Sequence, residues 1–281
     1  MSIAIFTDST ASIPKEYVEK YAIQVVPQVI IWNGQTFFDE IDMTTDEFYE
    51  RLPKEKNLPT TSQASAGTFK ELFDPYVRQG TPILGLYVSA GLSGTYQSAM
   101  QAKAEFPGAQ IEVFDSKGAA MTLGFQVLAA ARMVEQGKNI QEILATLDTL
   151  KENCGVIFVV DTLEYLHKGG RMSGTKRLLG TVLNLKPLLH LQDGHIKLLE
   201  SVRTKKKAVA RMLDIIEERI SGKDFVRLSP LHAAAPNEAV ELLDKLTRRF
   251  DSVEMIPSVV GPVIGTHVGP GTIGVAYSTG F

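Results

Sequence analysis

The sequence predicts an α/β protein of two domains, an N-terminal α/β/α unit with a mainly parallel sheet and a C-terminal α+β unit with an antiparallel sheet. Three observations point there. Short β-rich runs alternate with amphipathic helical runs through the first half, as in crossover-connected parallel strands. Beyond residue 161 hairpins mix with helices instead. The length, 281 residues, is enough for two cores of ordinary size. The expected domains are residues 1–161, with a β-hairpin excursion near 23–40, and residues 162–281.

Taken in order, IAIFTD (3–8) reads as a buried strand, with Ser12 expected to cap a helix from about Pro14 to Tyr21. Asn33-Gly34 marks the hairpin. Thr44 and Glu47 form a capping box before EFYERL. The helix TFKELFDPYVRQG carries Pro75, expected to kink it or end it early. Strand ILGLYV, a helix through Phe106, strand IEVFD and the helices GFQVLAAARMVEQG and IQEILATLDTLKEN follow. VIFVVD is expected to close the first half. LEYLHKGGR reads as a helix ending in glycines, TKRLLGTVLNL as apolar and helical, and LLHLQDGHIKLLE as a hairpin turned at Asp193-Gly194. A long helix from Lys205 to Ile220, the run FVRLSPLHA, the helix EAVELLDKLTRRF and a glycine-rich strand region complete the chain.

Composition narrows the function. With 44% hydrophobic and 22% charged residues and a net charge of -3, the chain is globular in character and has no global attraction to nucleic acid. A single cysteine, Cys154, excludes a disulfide framework and a cysteine zinc site. No secretion signal or long apolar stretch is evident, so the expected location is cytoplasmic.

Three hydroxyl-rich turns, DSTAS (8–12), PTTSQAS (59–65) and SAGLSGTYQSA (89–99), lie at strand-to-helix junctions, where open α/β sheets bind ligands. DSTAS reads first as capping and turn formation. Thr61 with Ser62, and Ser93 with Gly94, offer more polar groups than one cap consumes, and helix-starting amides suit an anion. GLSGT approaches the nucleophile elbow of serine hydrolases, but Thr95 replaces its second glycine. A serine esterase or acyltransferase using Ser93 and His267 is therefore the alternative reading. In GPVIGTHVGPG no Walker loop ending is present, and His267 is either a donor to a bound oxyanion or a locally satisfied histidine. The other four histidines lack metal-site spacing, so no metal is expected. Two basic places remain, HKGGR with Lys168 and Arg171, and RTKKK at a helix start, where positive charge opposes the dipole.

Together DSTAS, TTSQAS, SAGLSGTYQSA, FDSKGAA, LEYLHKGGR, KPLLHLQDG, VRTKK and GTHVGPG resemble, in order and over nearly the whole chain, the DegV family of bacterial fatty-acid-binding proteins. The resemblance implies a non-catalytic carrier that holds a long-chain fatty acid such as palmitate or oleate in a buried apolar tunnel. It would present the carboxylate to a separate fatty acid kinase for acyl phosphate formation, feeding phospholipid synthesis, with transient contact at a membrane surface and no cofactor. Carried onto this sequence, it assigns the carboxylate to Thr61, Ser62, Ser93, Gly94 and His267, and the ligand entrance or a partner contact to Arg171 and Arg203. Ala64 departs from the family, where proline is common after TSQ. GAAMTLGFQVLAAA and TKRLLGTVLNLKPLLHL are the apolar segments available to line the tail.

Overall fold

The computed structural model describes residues 3–172 and 185–281. The expected helix TKRLLGTVLNL lies, but for Leu185, outside the described residues. The first apolar run forms β1 (Ala4–Asp8), buried at four of five positions as a central parallel strand must be. It is followed by a 3-10 turn (Ser9–Ala11) and α1 (Lys15–Lys20). Ser12 does not cap α1. It takes φ 52° at the end of the 3-10 turn, and Pro14 occupies the cap position with no side-chain bond.

β2 (Gln24–Val26) joins β1, whereas β3 (Val29–Trp32) and β4 (Gln35–Phe38) form the expected hairpin. Asn33 and Gly34 both have positive φ, as a type I′ turn requires. The capping box at Thr44 and Glu47 opens α2 (Thr45–Arg51), and β5 (Thr60–Ser62) pairs with β3 to complete a small antiparallel sheet. α3 (Ala66–Arg78) runs through Pro75 and ends three residues later. Then come β6 (Ile83–Tyr87), α4 (Thr95–Ala104), β7 (Ile111–Asp115), α5 (Met121–Glu135) and α6 (Ile140–Leu150). The first sheet is parallel throughout, in the order β2, β1, β6, β7.

β8 (Cys154–Val159) departs from expectation, because it does not complete that sheet. It pairs antiparallel with β9 (Lys186–Gln192) and with β14 (Thr272–Ser278) of a second sheet. The change of sheet therefore precedes Cys154. α7 (Glu164–Gly169) follows β8, and β9 turns at Asp193-Gly194 into β10 (His195–Val202). α8 (Lys205–Ile220), β11 (Arg227–Ala233) and α9 (Pro236–Arg249) come next. β12 (Glu254–Met255) and β13 (Ser258–Val259) both run parallel to β11. The second sheet is otherwise antiparallel, in the order β10, β9, β8, β14, β11. The glycine-rich end reads as a strand region, and its last part is one, β14. Its first part is instead a helix, α10 (Pro262–Val268), started by a proline whose fixed φ suits the first turn.

α5 explains how the two sheets share one core. Twelve of its residues, from Met121 to Met133, are buried, so it is apolar on every side. It packs on β1 and β6 of the first sheet and on β8 and β14 of the second. One cluster accordingly joins Leu86, Phe125, Leu128, Phe158 and Ala276. Separate clusters fill the outer faces, with Phe6, Phe69 and Tyr87 beneath α3 and α4, and Ile157, Met212 and Leu242 beneath α8 and α9. Trp32, Phe48 and Val263 bind the small sheet to α2 and α10. None of the described helices is long and apolar enough to cross a membrane.

Candidate functional site

The carboxyl ends of β1 and β6 meet the small sheet and α10 at one place, and the polar side chains gather there. Thr10 follows β1, Ser93 follows β6, Thr61 and Ser62 lie on β5, and His267 sits in the last turn of α10. These five, with Gln28 and Arg171, line one end of a cavity. Its free volume is about 80 Å³. A second space of about 60 Å³, lined by Val156, Phe158, Leu231 and Val260, exposes no polar surface. Leu92, Ala119, Ile196, Ile264 and Val268 line both, so the polar space and the apolar one adjoin along a shared wall and together make a passage from polar to apolar once those side chains part. Among the apolar segments named above, Ala119, Ala120 and Leu191 supply lining, while α5 itself is core.

The polar end is wired by hydrogen bonds. Thr61 Oγ1 lies 2.7 Å from His267 Nε2, and His267 Nδ1 is buried without a partner. An orphaned lone pair is cheaper to bury than an orphaned N–H, so the geometry favours the tautomer with hydrogen on Nε2. His267 then donates to Thr61 Oγ1, and the Thr61 hydroxyl hydrogen is left to point into the cavity. Burial, with the Arg171 cation as a lesser cause, pushes the imidazole down to about 4, so it is neutral near pH 7. The close fit depends on Gly169, where a Cβ would overlap His267 Nδ1. This explains one glycine of HKGGR. The other, Gly170, ends α7 with φ 68°.

Ser93 Oγ is 2.8 Å from Thr95 Oγ1, which donates to Gln28 Oε1 at 2.9 Å. The Ala64 amide also donates to Gln28 Oε1, at 3.3 Å. Two donors fix that amide's orientation and leave its buried Nε2 without an acceptor beside the cavity that Gln28 lines. Gln28 escaped the sequence reading. Its signal was a polar residue inside the apolar run VVPQVII, which at 2% exposure had to find partners.

Arg171 is half-buried, donating to the carbonyls of Gly169 at 2.7 Å and Leu92 at 3.3 Å. Burial lowers its pKa, and no described carboxylate pairs with it. With Lys56, Lys168, Thr61 and His267 it also lines an outer hollow of about 360 Å³. Two expected residues lie elsewhere. Gly94 precedes α4 and packs against Gln63 without lining the cavity, and Arg203 is exposed between β10 and α8. DSTAS is a capping turn: Asp8 accepts from the Thr10 amide and hydroxyl and, across the sheet, from the Val88 amide. Lys205 of RTKKK is held by Asp161, Glu238 and the Gly271 carbonyl, and Thr204 caps α8. No group of three metal-ligating side chains occurs among the described residues.

The arrangement lacks a hydrolytic relay. His267 faces Thr61 through Nε2, Ser93 faces Thr95, and no carboxylate bonds His267 Nδ1.

A family model described as "Uncharacterised protein, DegV family" matches residues 2–280. The chain belongs to the DegV family. A DegV domain-containing protein of Halalkalibacterium halodurans is 36% identical over 276 residues, covering 98% of each chain. A fatty-acid-binding DegV family protein from Thermus thermophilus has a TM-score of 0.94 at 32% identity, over 99% of this chain and 100% of that one. A stearic-acid-binding protein from Eubacterium ventriosum has a TM-score of 0.93 at 28% identity, over 99% and 98%. This DegV family chain thus shares its whole fold with proteins that bind fatty acids.

Proposed function

We propose that this chain binds one long-chain fatty acid, palmitate or oleate in size, and carries it without catalysing a reaction on it. The observation that carries the reading is the donor-lined cavity set against an apolar space that shares five of its lining residues. The carboxylate is assigned to the Thr61 hydroxyl and Gln28 Nε2, joined by the Ser93 hydroxyl once it turns away from Thr95 Oγ1, with Ser62 beside them and Arg171 supplying positive charge. His267 acts through Thr61. Gly94 acts only as backbone before α4.

Each buried methylene contributes about 0.8 kcal/mol, so a 16-carbon tail supplies on the order of 10 kcal/mol before binding entropy is subtracted. The free volumes of about 80 and 60 Å³ are far below the ~300–1,000 Å³ of ordinary ligand sites. Tail entry therefore requires side chains of the shared wall, Leu92 and Ile264 among them, to move aside.

The finer reading is that the bound carboxylate is presented to a separate fatty acid kinase, its oxygen attacking the terminal phosphorus of a nucleoside triphosphate held by the kinase, the nucleoside diphosphate leaving with the electrons of the broken P–O bond, to give an acyl phosphate that feeds phospholipid synthesis in the cytoplasm. The outer hollow supports it, since Lys56, Lys168 and Arg171 lie beside Thr61 and suit a phosphoryl group. We assign Arg171 and the exposed Arg203 to the entrance or to contact with the kinase or a membrane surface. Mass spectrometry of organic extracts from the denatured protein tests the ligand class, with one fatty acid per chain expected. Turnover of p-nitrophenyl esters that disappears in Ser93→Ala would instead establish the esterase reading.

A further inference from the structure

A polar cleft of about 500 Å³ lies where the tip of the β9–β10 hairpin meets the loop after β7 and the turn Lys151–Asn153 before β8, a volume within the range of small-molecule sites. Leu191, the one aliphatic side chain among its described lining residues, is also the one residue it shares with the apolar space of the passage. No residue lines both this cleft and the donor-lined cavity. Its wall is therefore unsuited to a hydrocarbon tail and must be read through its polar groups.

Arg219 stands in the last turn of α8, where a cation suits the helix dipole. The dipole does not account for where its head lies. The guanidinium is partly buried and donates to neutral acceptors, the Tyr277 hydroxyl at 3.4 Å and His190 Nδ1 at 3.2 Å. Gly155 makes room for this arrangement, since a Cβ there would overlap the Tyr277 ring. Among the described residues, Arg219 and Arg171 are the two partly buried arginines without a carboxylate partner. An arginine only donates, so His190 Nδ1 carries the lone pair and the ring hydrogen sits on Nε2. Neither His190 Nε2 nor Arg219 Nε has an acceptor among the described residues, and both atoms keep access to solvent. Three lining cations face two carboxylates. Lys117 and Lys151 pair with Asp115 and Asp148, which lie off the cleft wall, and Asp193 pairs with Lys197. Burial, with the Arg219 and Lys197 cations as lesser causes, holds His190 below its usual range, so it is neutral near pH 7 and the field around it is positive.

We propose that this cleft is a second ligand site, taking a sugar phosphate whose phosphate accepts from Arg219 and His190 Nε2 and whose hydroxyls donate to Glu152 and Gln192. The uncompensated guanidinium selects an anion, and its open N–H beside that of the imidazole suits the several oxygens of a phosphate. The polar wall selects a hydroxylated body over a hydrocarbon one.

Calorimetry on the full chain tests the site, with glucose 6-phosphate as probe and glucose as its uncharged counterpart. The phosphate ester is expected to bind at least about tenfold tighter than glucose, and to lose about tenfold in Arg219→Gln. Lys117→Glu, which reverses an exposed charge on the wall, is expected to weaken it about fivefold and keeps the test decisive if Arg219→Gln does not fold. Equal binding of ester and glucose overturns the proposal, as does unchanged ester affinity in folded Arg219→Gln or in Lys117→Glu. Affinity that falls in Arg171→Gln instead would place the phosphate in the outer hollow and would also overturn it. Inorganic phosphate binding as tightly as the ester would reduce the cleft to a bare anion site, with the same consequence. A protein extracted without fatty acid leaves this test intact, because Arg219 and Lys117 do not line the passage.

Discussion

The donor-lined passage and a separate cleft floored by Thr7, Asp8 and Asp39 lie on opposite sides of the 3-10 turn at Ser9–Ala11, and the charge of a buried group is suppressed in each, that of His267 in one and of Asp39 in the other. Burial drives both groups toward neutrality from opposite directions, His267 down to about 4 and Asp39 up to about 7. Their partners make the difference. His267 hands its hydrogen to Thr61, so the passage presents hydroxyl and amide donors to an anion. Asp39 is answered inside the fold, by the Ser9 hydroxyl and the Val263 amide at the start of α10, so its acceptors are turned away from solvent. Burial sets how strongly each group resists its own charge, and its partners set what it still offers to a ligand. The two sites are also joined, because Ser9 Oγ donates to Asp39 and accepts the Gln28 amide at 3.1 Å, and Gln28 holds Thr95 and through it Ser93.

Breaking the acid side first should give the largest effect. The folded pKa of Asp39 is raised above 3.8, so its contribution to stability is full below 3.8 and is lost as pH rises through about 7. Urea melts should show Asp39→Asn gaining about 4 kcal/mol on the native protein between pH 4 and 8. A pH-independent difference would show that the carboxyl is not held neutral.

The histidine side runs the other way. A depressed folded pKa places its stabilisation above 6.5, lost as pH falls through about 4. The advantage of the native protein over His267→Gln should shrink by about 3 kcal/mol across that window in the same melts. Parallel curves would mean that the imidazole is solvated.

Crowding His267 sharpens the comparison without touching charge. Gly169→Ala should cost about 2 kcal/mol in denaturant unfolding and loosen fatty acid binding, because the new methyl must displace the ring. Full stability in that variant would place the ring elsewhere. The smallest effect is expected from Ser93→Ala, about 1 kcal/mol or fivefold in affinity for a fluorescent fatty acid, since Thr61 and Gln28 remain. A loss above a hundredfold would make Ser93 the dominant anchor.

Much of this was legible in the chain. Turn chemistry placed both hairpins, at Asn33-Gly34 and Asp193-Gly194, because their positive φ angles are a local requirement. The hydroxyl motifs named the family, and Thr61, Ser62, Ser93, His267 and Arg171 do surround one cavity. Gln28 was invisible because a lone glutamine in an apolar run carries no motif. Asp39 was overlooked because hairpin ends are usually solvated, whereas this one is closed over by Ser9 and the segment before α10.

By itself the sequence determined where strands and helices form, where the chain reverses, and which polar residues exceed what capping consumes. These follow from φ and ψ preferences and hydrogen bonds spanning a few residues. Only the tertiary structure decided that Cys154–Val159 joins the second sheet, that Gly169 makes room for His267, and that Asp39 is buried against Ser9. Those outcomes depend on partners tens to hundreds of residues away, and strand pairing, close packing and burial leave no periodic trace in the segments they bring together.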